Sequence, residues 1–251
     1  WDVALPRPLA GFGRFLERRI FPNFYHSTPI VTLSDSSRSE LSSVLGFRRK
    51  NIYVVEPGIS HSFCPSIDKS EFPLVVVTGR LSPYKQIDRI INVVNKVRST
   101  IPNVRLEIIG EGSDEGRIRS VIESLSDSSW LSLRGRVAED ELIDTYQRAW
   151  VATSASLSEG WGMTLTEAAR CGTASVASNI PGHVDAVSNG ISGYLFDNDD
   201  EFERHLVSLL SSRDNAISLG ESASEWSSRF TWEKAATESF RVLASTKKTN
   251  V

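Results

Sequence analysis

From residue 73 onward the chain alternates short apolar runs with amphipathic stretches, and this alternation limits the fold more than any other feature. The apolar runs Leu74–Thr78 (LVVVT), Arg105–Ile109 (RLEII), Leu131–Leu133, Val151–Ser154, Ala174–Ala177 and Tyr194–Phe196 read as strands. Helices are expected between them at Ile87–Val97, Glu115–Ser124, Glu139–Arg148, Met163–Cys171 and Val184–Ser188. A further helix, Glu201–Ser211, keeps Phe202, Leu206, Leu209 and Leu210 at helical spacing. Strands that alternate with helices build right-handed βαβ units around a mostly parallel sheet. The expected fold is therefore α/β, a Rossmann-like doubly wound parallel sheet, with a remnant of a second α/β domain.

That remnant is about residues 1–60. Phe12–Ile20 reads as a helix, Ile30–Leu33 as a strand, Ser36–Leu45 as a helix capped by Ser34 or Asp35, and Ile52–Val55 as another strand. Glu56-Pro57-Gly58 breaks the pattern. Residues 61–230 form the main domain, and 231–251 hold an amphipathic helix, Thr231–Ala244, expected to cross back to the first unit. The chain starts Trp1-Asp2-Val3 without Met, so it is expected to begin in mid-protein, with the earlier strands of the first domain missing.

Composition excludes some functions. A net charge of −3 with no basic block argues against nucleic acid or an anionic membrane as partner. No run of 18 apolar residues exists to span a bilayer. Cys64 and Cys171 are too few and too far apart in sequence for a disulfide framework, and a cytoplasmic location is expected.

Ligands of open parallel sheets bind beyond the carboxyl ends of the strands. After the first strand come Gly79, Arg80 and Lys85. After the second come Gly110, Glu111 and Gly112, and after the third Gly135-Arg136-Val137. After the fourth comes Ser158-Glu159-Gly160-Trp161-Gly162-Met163-Thr164-Leu165-Thr166-Glu167, and after the fifth Pro181-Gly182. Glycine turns let backbone N–H groups approach a ligand, and helix N-termini favour anions. With two cations added, the rim suits a diphosphate, especially one leaving with developing negative charge.

Taken singly, the pieces are ordinary: Gly79-Arg80 is a common strand-end turn, Lys85 alone a solvated lysine, and Gly110-Glu111-Gly112 lacks the dinucleotide spacing. Glu159 alone could be an exposed loop residue. Glu167 is different, because it lies among Leu165, Ala168 and Ala169. A buried carboxylate needs hydrogen-bond donors, and vicinal hydroxyls of a ribose would supply them. His26, His61, His183 and His205 show no metal-ligand spacing, so no metal site is expected. Asp197-Asn198-Asp199 has a D-x-D form, but its place between a strand and a helix reads as a helix cap. No local context suggests a Ser-His-Asp or Cys-His set.

In order, "VVVTGRLSPYKQIDRII", "PNVRLEIIGEG", "LRGRV", "SLSEGWGMTLTEAARCGTASVAS" and "NGISGYLF" resemble the retaining nucleotide-sugar glycosyltransferases of family 4 (glycosyl transferases group 1, GT-B fold) over about residues 28–245. The E-x7-E element at Glu159 and Glu167, in register with Gly79-Arg80 and Lys85, is its most specific part. The resemblance implies a hexosyl transfer from a nucleoside diphosphate sugar to a sugar, lipid or small-molecule acceptor, with no cofactor. It implies catalytic roles for Arg80, Lys85 and Glu159, with Arg80 and Lys85 on the diphosphate. Gly79, Glu111, Gly112, Val137, Gly160, Trp161, Gly162, Met163 and Thr164 would line the donor site, and Glu167 would hold the ribose. Peripheral membrane association, where a member has it, would lie in the missing part of the N-terminal domain. The alternatives are a donor-binding fragment without independent catalysis and a GT-B sugar-nucleotide epimerase or starch-type synthase.

Overall fold

The computed structural model describes residues 7–247 except residue 67. The chain divides into two compact units, Trp1–Gly58 with Phe230–Val251, and Ile59–Arg229. Residues 1–6 and 248–251 of the expected domain bounds lie outside the described residues.

In the first unit, α1 (Arg7–Phe15) runs through a π-helical turn, Leu16–Ile20, into α2 (Phe21–Phe24). The single helix expected over Phe12–Ile20 is thus longer and wider. Pro22 at the start of α2 explains the widening: it has no N–H to donate and its ring crowds the carbonyl four residues back. The Phe21 N–H instead reaches five residues back to Leu16 O. Strand β1 (Ile30–Thr32) pairs in parallel with β2 (Ile52–Val54), Val31 opposite Tyr53. The crossover helix between them is α3 (Asp35–Ser43), capped by Ser34, whose Oγ accepts the Ser37 N–H at 3.1 Å.

The second unit holds six parallel strands: β3 (Leu74–Thr78), β4 (Arg105–Ile109), β5 (Leu131–Leu133), β6 (Val151–Ser154), β7 (Ser175–Ser178) and β8 (Gly193–Phe196). Their order is β5-β4-β3-β6-β7-β8. Counted within the unit this is 3-2-1-4-5-6, the order of dinucleotide-binding Rossmann folds, and the direction of winding reverses between β3 and β6. Leu74, Val75, Val76 and Val77 are all at most 4% exposed. A strand buried on both faces needs such a continuous apolar run.

Helices α4 (Ile87–Val97), α5 (Glu115–Glu123), α6 (Glu139–Arg148), α7 (Met163–Arg170), α8 (His183–Ala186) and α9 (Asp199–Leu210) fill the connections. Asn198 caps α9, its side chain accepting the Glu201 N–H at 3.0 Å while Glu201 accepts the Asp197 N–H at 2.9 Å. The D-x-D stretch is therefore a reciprocal helix cap.

One long helix, α10 (Arg213–Ser227), lies where no helix is expected from the hydrophobic pattern. Its buried positions are Ala216, Gly220, Ala223 and Ser227, so its inward face has no large apolar side chain to mark a period. The small face has a cause. A Cβ on Gly220 would sit 2.1 Å from Gly172 O, just past the end of α7. The last helix, α11 (Trp232–Lys247), belongs to the first unit. There Lys234 Nζ donates to Glu56 Oε2 at 2.7 Å, and a Cβ on Gly58 would lie 2.3 Å from Trp232 N.

Candidate active site

Doubly wound sheets bind ligands beyond the carboxyl ends of their strands where the winding reverses, here between β3 and β6, and the expected site residues gather there. After β3, Gly79 has φ 126°, then Arg80 is exposed, and Lys85 ends a 3-10 turn, Pro83–Lys85. After β6, the loop 155–162 leads to α7. The Leu157 N–H donates to Tyr84 O at 2.8 Å, fastening the two loops together.

Lys85 Nζ and Glu159 Oε1 form an ion pair over this junction, both side chains less than one-fifth exposed. Ser156 Oγ donates to the same Glu159 oxygen at 2.8 Å. Glu159 is thus held in place and not loose on a loop. A Cβ built on Gly79 would lie 3.8 Å from Thr164 Cγ2 and 4.0 Å from Lys85 Nζ. Gly79, Lys85, Glu159 and Thr164 therefore converge on one point.

Gly162 (φ 119°) starts α7 and packs on His183 and Ala186, a Cβ there falling 3.1 Å from His183 Cδ2. Met163 and Thr164 follow in the first turn, half-buried, and Gly160 is exposed. Trp161 is only 2% exposed, so its ring faces the interior and the rim receives its main chain.

The rest of the rim is built by main-chain zipping. The Gly79 N–H donates to Ile109 O, the Leu81 N–H to Glu111 O, and the Asp114 N–H to Leu81 O, at 2.9–3.1 Å. Gly110 (φ 146°) is required because a Cβ there would fall 1.8 Å from Gly79 O. A Cβ on Gly112 would likewise fall 2.0 Å from Leu81 O. The Gly110 N–H also donates to Gly135 O at 2.8 Å, bringing the turn before Val137 alongside. Glu111 is exposed, and its Oε1 lies 3.9 Å from where a Gly135 Cβ would be. Val137 is half-buried beyond it.

Glu167, on the second turn of α7, has separate partners. Burial pushes its carboxyl up to about 7, with the nearby Glu139 charge adding to the rise and a hydrogen bond from Tyr146 opposing it. Tyr146 is fully buried on α6, and its Oη lies 2.5 Å from Thr78 Oγ1. A phenol has one proton; given to Glu167, it leaves the oxygen to accept from Thr78. The end of β3, α6 and α7 are therefore joined through one side-chain chain, Thr78–Tyr146–Glu167.

Two residues here escaped the sequence reading. Tyr146 supplies a donor to Glu167 from within the protein, so the carboxylate does not depend on a ligand alone. A polar-tipped aromatic on the apolar face of α6 was the only signal. His183 is 1% exposed, and its Nδ1 lies 3.0 Å from Ser178 O. A carbonyl can only accept, so Nδ1 carries the proton, and burial holds the ring below the usual histidine range, in its neutral form. Lys85 and Glu159 both act on it electrostatically. Among the described residues, no group of three or more His, Cys, Asp or Glu could hold a metal ion, and no helix is long and apolar enough to cross a membrane.

Glycine turns, cations and a helix N-terminus at the reversal point of a doubly wound α/β domain are features that suit a phosphorylated ligand. The chain belongs to the glycosyl transferases group 1 family, whose model matches residues 65–226. A D-inositol 3-phosphate glycosyltransferase of Segniliparus rotundus is 29% identical over 176 residues, covering 68% of this chain and 39% of that protein. Among solved structures, TarM of S. aureus in complex with fondaparinux, alpha-GlcNAc-glycerol and UDP superposes with a TM-score of 0.78 at 22% identity, over 90% of this chain and 46% of TarM. Anabaena HepE in complex with UDP and glucose gives 0.79 at 16% identity, over 98% of this chain and 70% of HepE. These likenesses identify the fold as GT-B. The chain spans only 29% to 52% of the first curated relatives it matches.

Proposed function

We propose that this chain is the donor-binding part of a retaining, family 4 glycosyltransferase that moves a hexosyl group from a nucleoside diphosphate sugar to a sugar, lipid or small-molecule acceptor. The observation that carries this is the placement of Lys85, Glu159 and Thr164 around Gly79 at the sheet's reversal point, with Glu167 one helical turn further on. Arg80 and Lys85 would hold the diphosphate, joined by the N–H groups at the start of α7. Glu159 and the main chain of Gly160–Gly162 would meet the sugar, and Glu167 the ribose. Glu111, Gly112 and Val137 would border the nucleoside. UDP in the TarM and HepE structures supports a nucleoside diphosphate as ligand. Donor and acceptor suffice for this chemistry, without metal or cofactor, and the reaction is assigned to the cytoplasm.

No enzymic nucleophile is placed by this arrangement. The bond from the anomeric carbon to the diphosphate would break while the acceptor oxygen bonds on the same face, its proton passing to the departing phosphate. Rate then depends on stabilising the leaving charge. Lys85→Ala in the complete enzyme is expected to lower kcat about a hundredfold or more, and unchanged turnover would refute the role. Since the chain spans about half or less of its curated relatives, a second reading applies to it in isolation: binding without turnover. Calorimetry with UDP, GDP and ADP beside a transfer assay separates the two, and no binding at all would sink both.

A further inference from the structure

The two cysteines, distant in sequence, meet at the far end of α7. Cys171 is buried immediately after the helix, and Cys64 is exposed on the segment that opens the second unit. Cys171 is near enough to Cys64 for that residue's side chain and main chain both to act on its thiol. The flanking residues pack just as closely: a Cβ on Gly172 would lie 3.5 Å from both Pro65 Cβ and Ser66 O. Both segments are fixed from the sides. Gln147 Nε2 donates to Cys64 O at 2.8 Å and lies 3.6 Å from its Sγ. Buried Lys69 donates to Thr173 Oγ1 at 2.6 Å, and Thr173 Oγ1 is bonded in turn to Tyr146 O at 2.6 Å.

We propose that Cys64 and Cys171 are a redox-active thiol pair, closed to an intramolecular disulfide by a small disulfide oxidant such as glutathione disulfide. The close packing of Gly172 on Pro65 and Ser66 sets the preceding residues of the two segments, Cys171 and Cys64, side by side, the starting point from which a disulfide could close. The exposed Cys64 is the thiol the oxidant reaches. Its thiolate attacks glutathione disulfide, giving a mixed disulfide and releasing one glutathione. Cys171 then attacks the Cys64 sulfur as the thiolate and releases the second glutathione, its proton passing through solvent to the departing glutathione thiolate. Two electrons and two protons pass from the protein to the oxidant, and the net products are one protein disulfide and two glutathione thiols.

The buried Lys69 ammonium favours the thiolate that the second step needs. Burial pushes the Cys171 thiol up to about 12, the Lys69 charge working against that rise. Burial also brings Lys69 down to about 8, so this help to the thiolate fades as pH rises past that range. Cys171 is therefore inert toward bulk oxidants and reactive only toward a disulfide formed at Cys64. The bond would tie the end of α7, the helix that carries Thr164 and Glu167, to the segment following Ile59.

The test is exposure of the full chain to millimolar glutathione disulfide at pH 8, followed by acid quenching, intact mass and thiol titration under denaturing conditions. The expected product is monomeric, lighter by about 2 Da, with neither thiol titratable, and restored by a reductant. Cys64→Ser, at an exposed position, is expected to fold normally and to keep its Cys171 thiol under the same treatment. Three results would each overturn the proposal: a persistent adduct of about +305 Da on Cys64 with Cys171 still free, a disulfide-linked dimer, or two unreacted thiols. The outcome does not depend on the proposed transferase activity.

Discussion

Replacing Glu167 by glutamine keeps the length of the side chain and its ability to accept from the Tyr146 phenol, while removing the charge. The carboxyl titrates near 4.5 in an unfolded chain and at about 7 in the folded one. Each tenfold difference in proton affinity corresponds to about 1.4 kcal/mol, so ionised Glu167 costs the folded state about 3 kcal/mol. Below pH 4.5 the group is protonated in both states and costs nothing. As pH rises from there, the unfolded chain ionises first, and stability is lost until the folded carboxyl ionises near 7. Glu167→Gln escapes this loss. Its stability advantage over the parent is expected to grow by about 2.5 kcal/mol between pH 5 and pH 8.5, since part of the cost is already present at pH 5. Urea denaturation of both proteins, followed by tryptophan fluorescence at the two pH values, measures it, and other titrating groups cancel in the difference. Affinity for UDP should move the opposite way, weakening about tenfold or more as a charge-assisted acceptor for ribose hydroxyls is lost. A stability advantage that stays flat with pH would refute the burial argument. Unchanged UDP affinity would refute the ribose role alone.

Two further outcomes follow from the rim. A double-mutant cycle of Lys85→Ala and Glu159→Gln, read by urea denaturation, should return a coupling of about 1–3 kcal/mol, because the pair is desolvated and hydrogen-bonded; additivity within a few tenths would mean that the pair is not held. Gly110→Ala should cost about 3 kcal/mol or more, since it drives a Cβ into Gly79 O at a φ that L-residues avoid. The same change at Gly116, exposed in α5 with nothing within 4 Å, should be neutral or stabilise by up to about 1 kcal/mol. Equal melting temperatures for the two variants would contradict the close loop contact.

The sheet was legible because Leu74–Val77 is buried on both faces and reads as a continuous apolar run, while Leu106, Ile108 and Ile109 of RLEII and Val151 and Ala152 of VATS supply the buried apolar positions of their strands. Helices α4 and α9 were legible because large apolar side chains face inward at regular spacing. Helix α10 was not, because close approach at Gly220 selects alanine, glycine and serine, which carry no period in hydrophobicity. Its cap, Ser212, accepting the Asn215 N–H at 3.3 Å, was the available cue. Order along the chain was enough to place Arg80, Lys85, Glu159 and Glu167 on one rim, since all parallel strands end on the same side. It gave no hint that Lys85 and Glu159 pair, or that Tyr146 supports Glu167. Those facts depend on which helix lies beside which strand, a property of packing and not of local pattern. Gly110 and Gly112 also changed meaning: they admit a neighbouring loop, whatever else they admit.

That last point bears on how a domain of this kind could diversify. The loops after β3 and β4 share three main-chain hydrogen bonds and touch at two glycines. Neither can gain or lose a residue without shifting the register of the other, so they would have to evolve as one unit. The turn after β5 is attached at its start, by the Arg134 N–H to Ile108 O and the Gly110 N–H to Gly135 O, and Arg136 beyond it is exposed. Variation in ligand preference, whether natural or selected in the laboratory, should therefore accumulate around residues 136–138, while the ledge formed by residues 79–81 and 110–112 stays fixed in length.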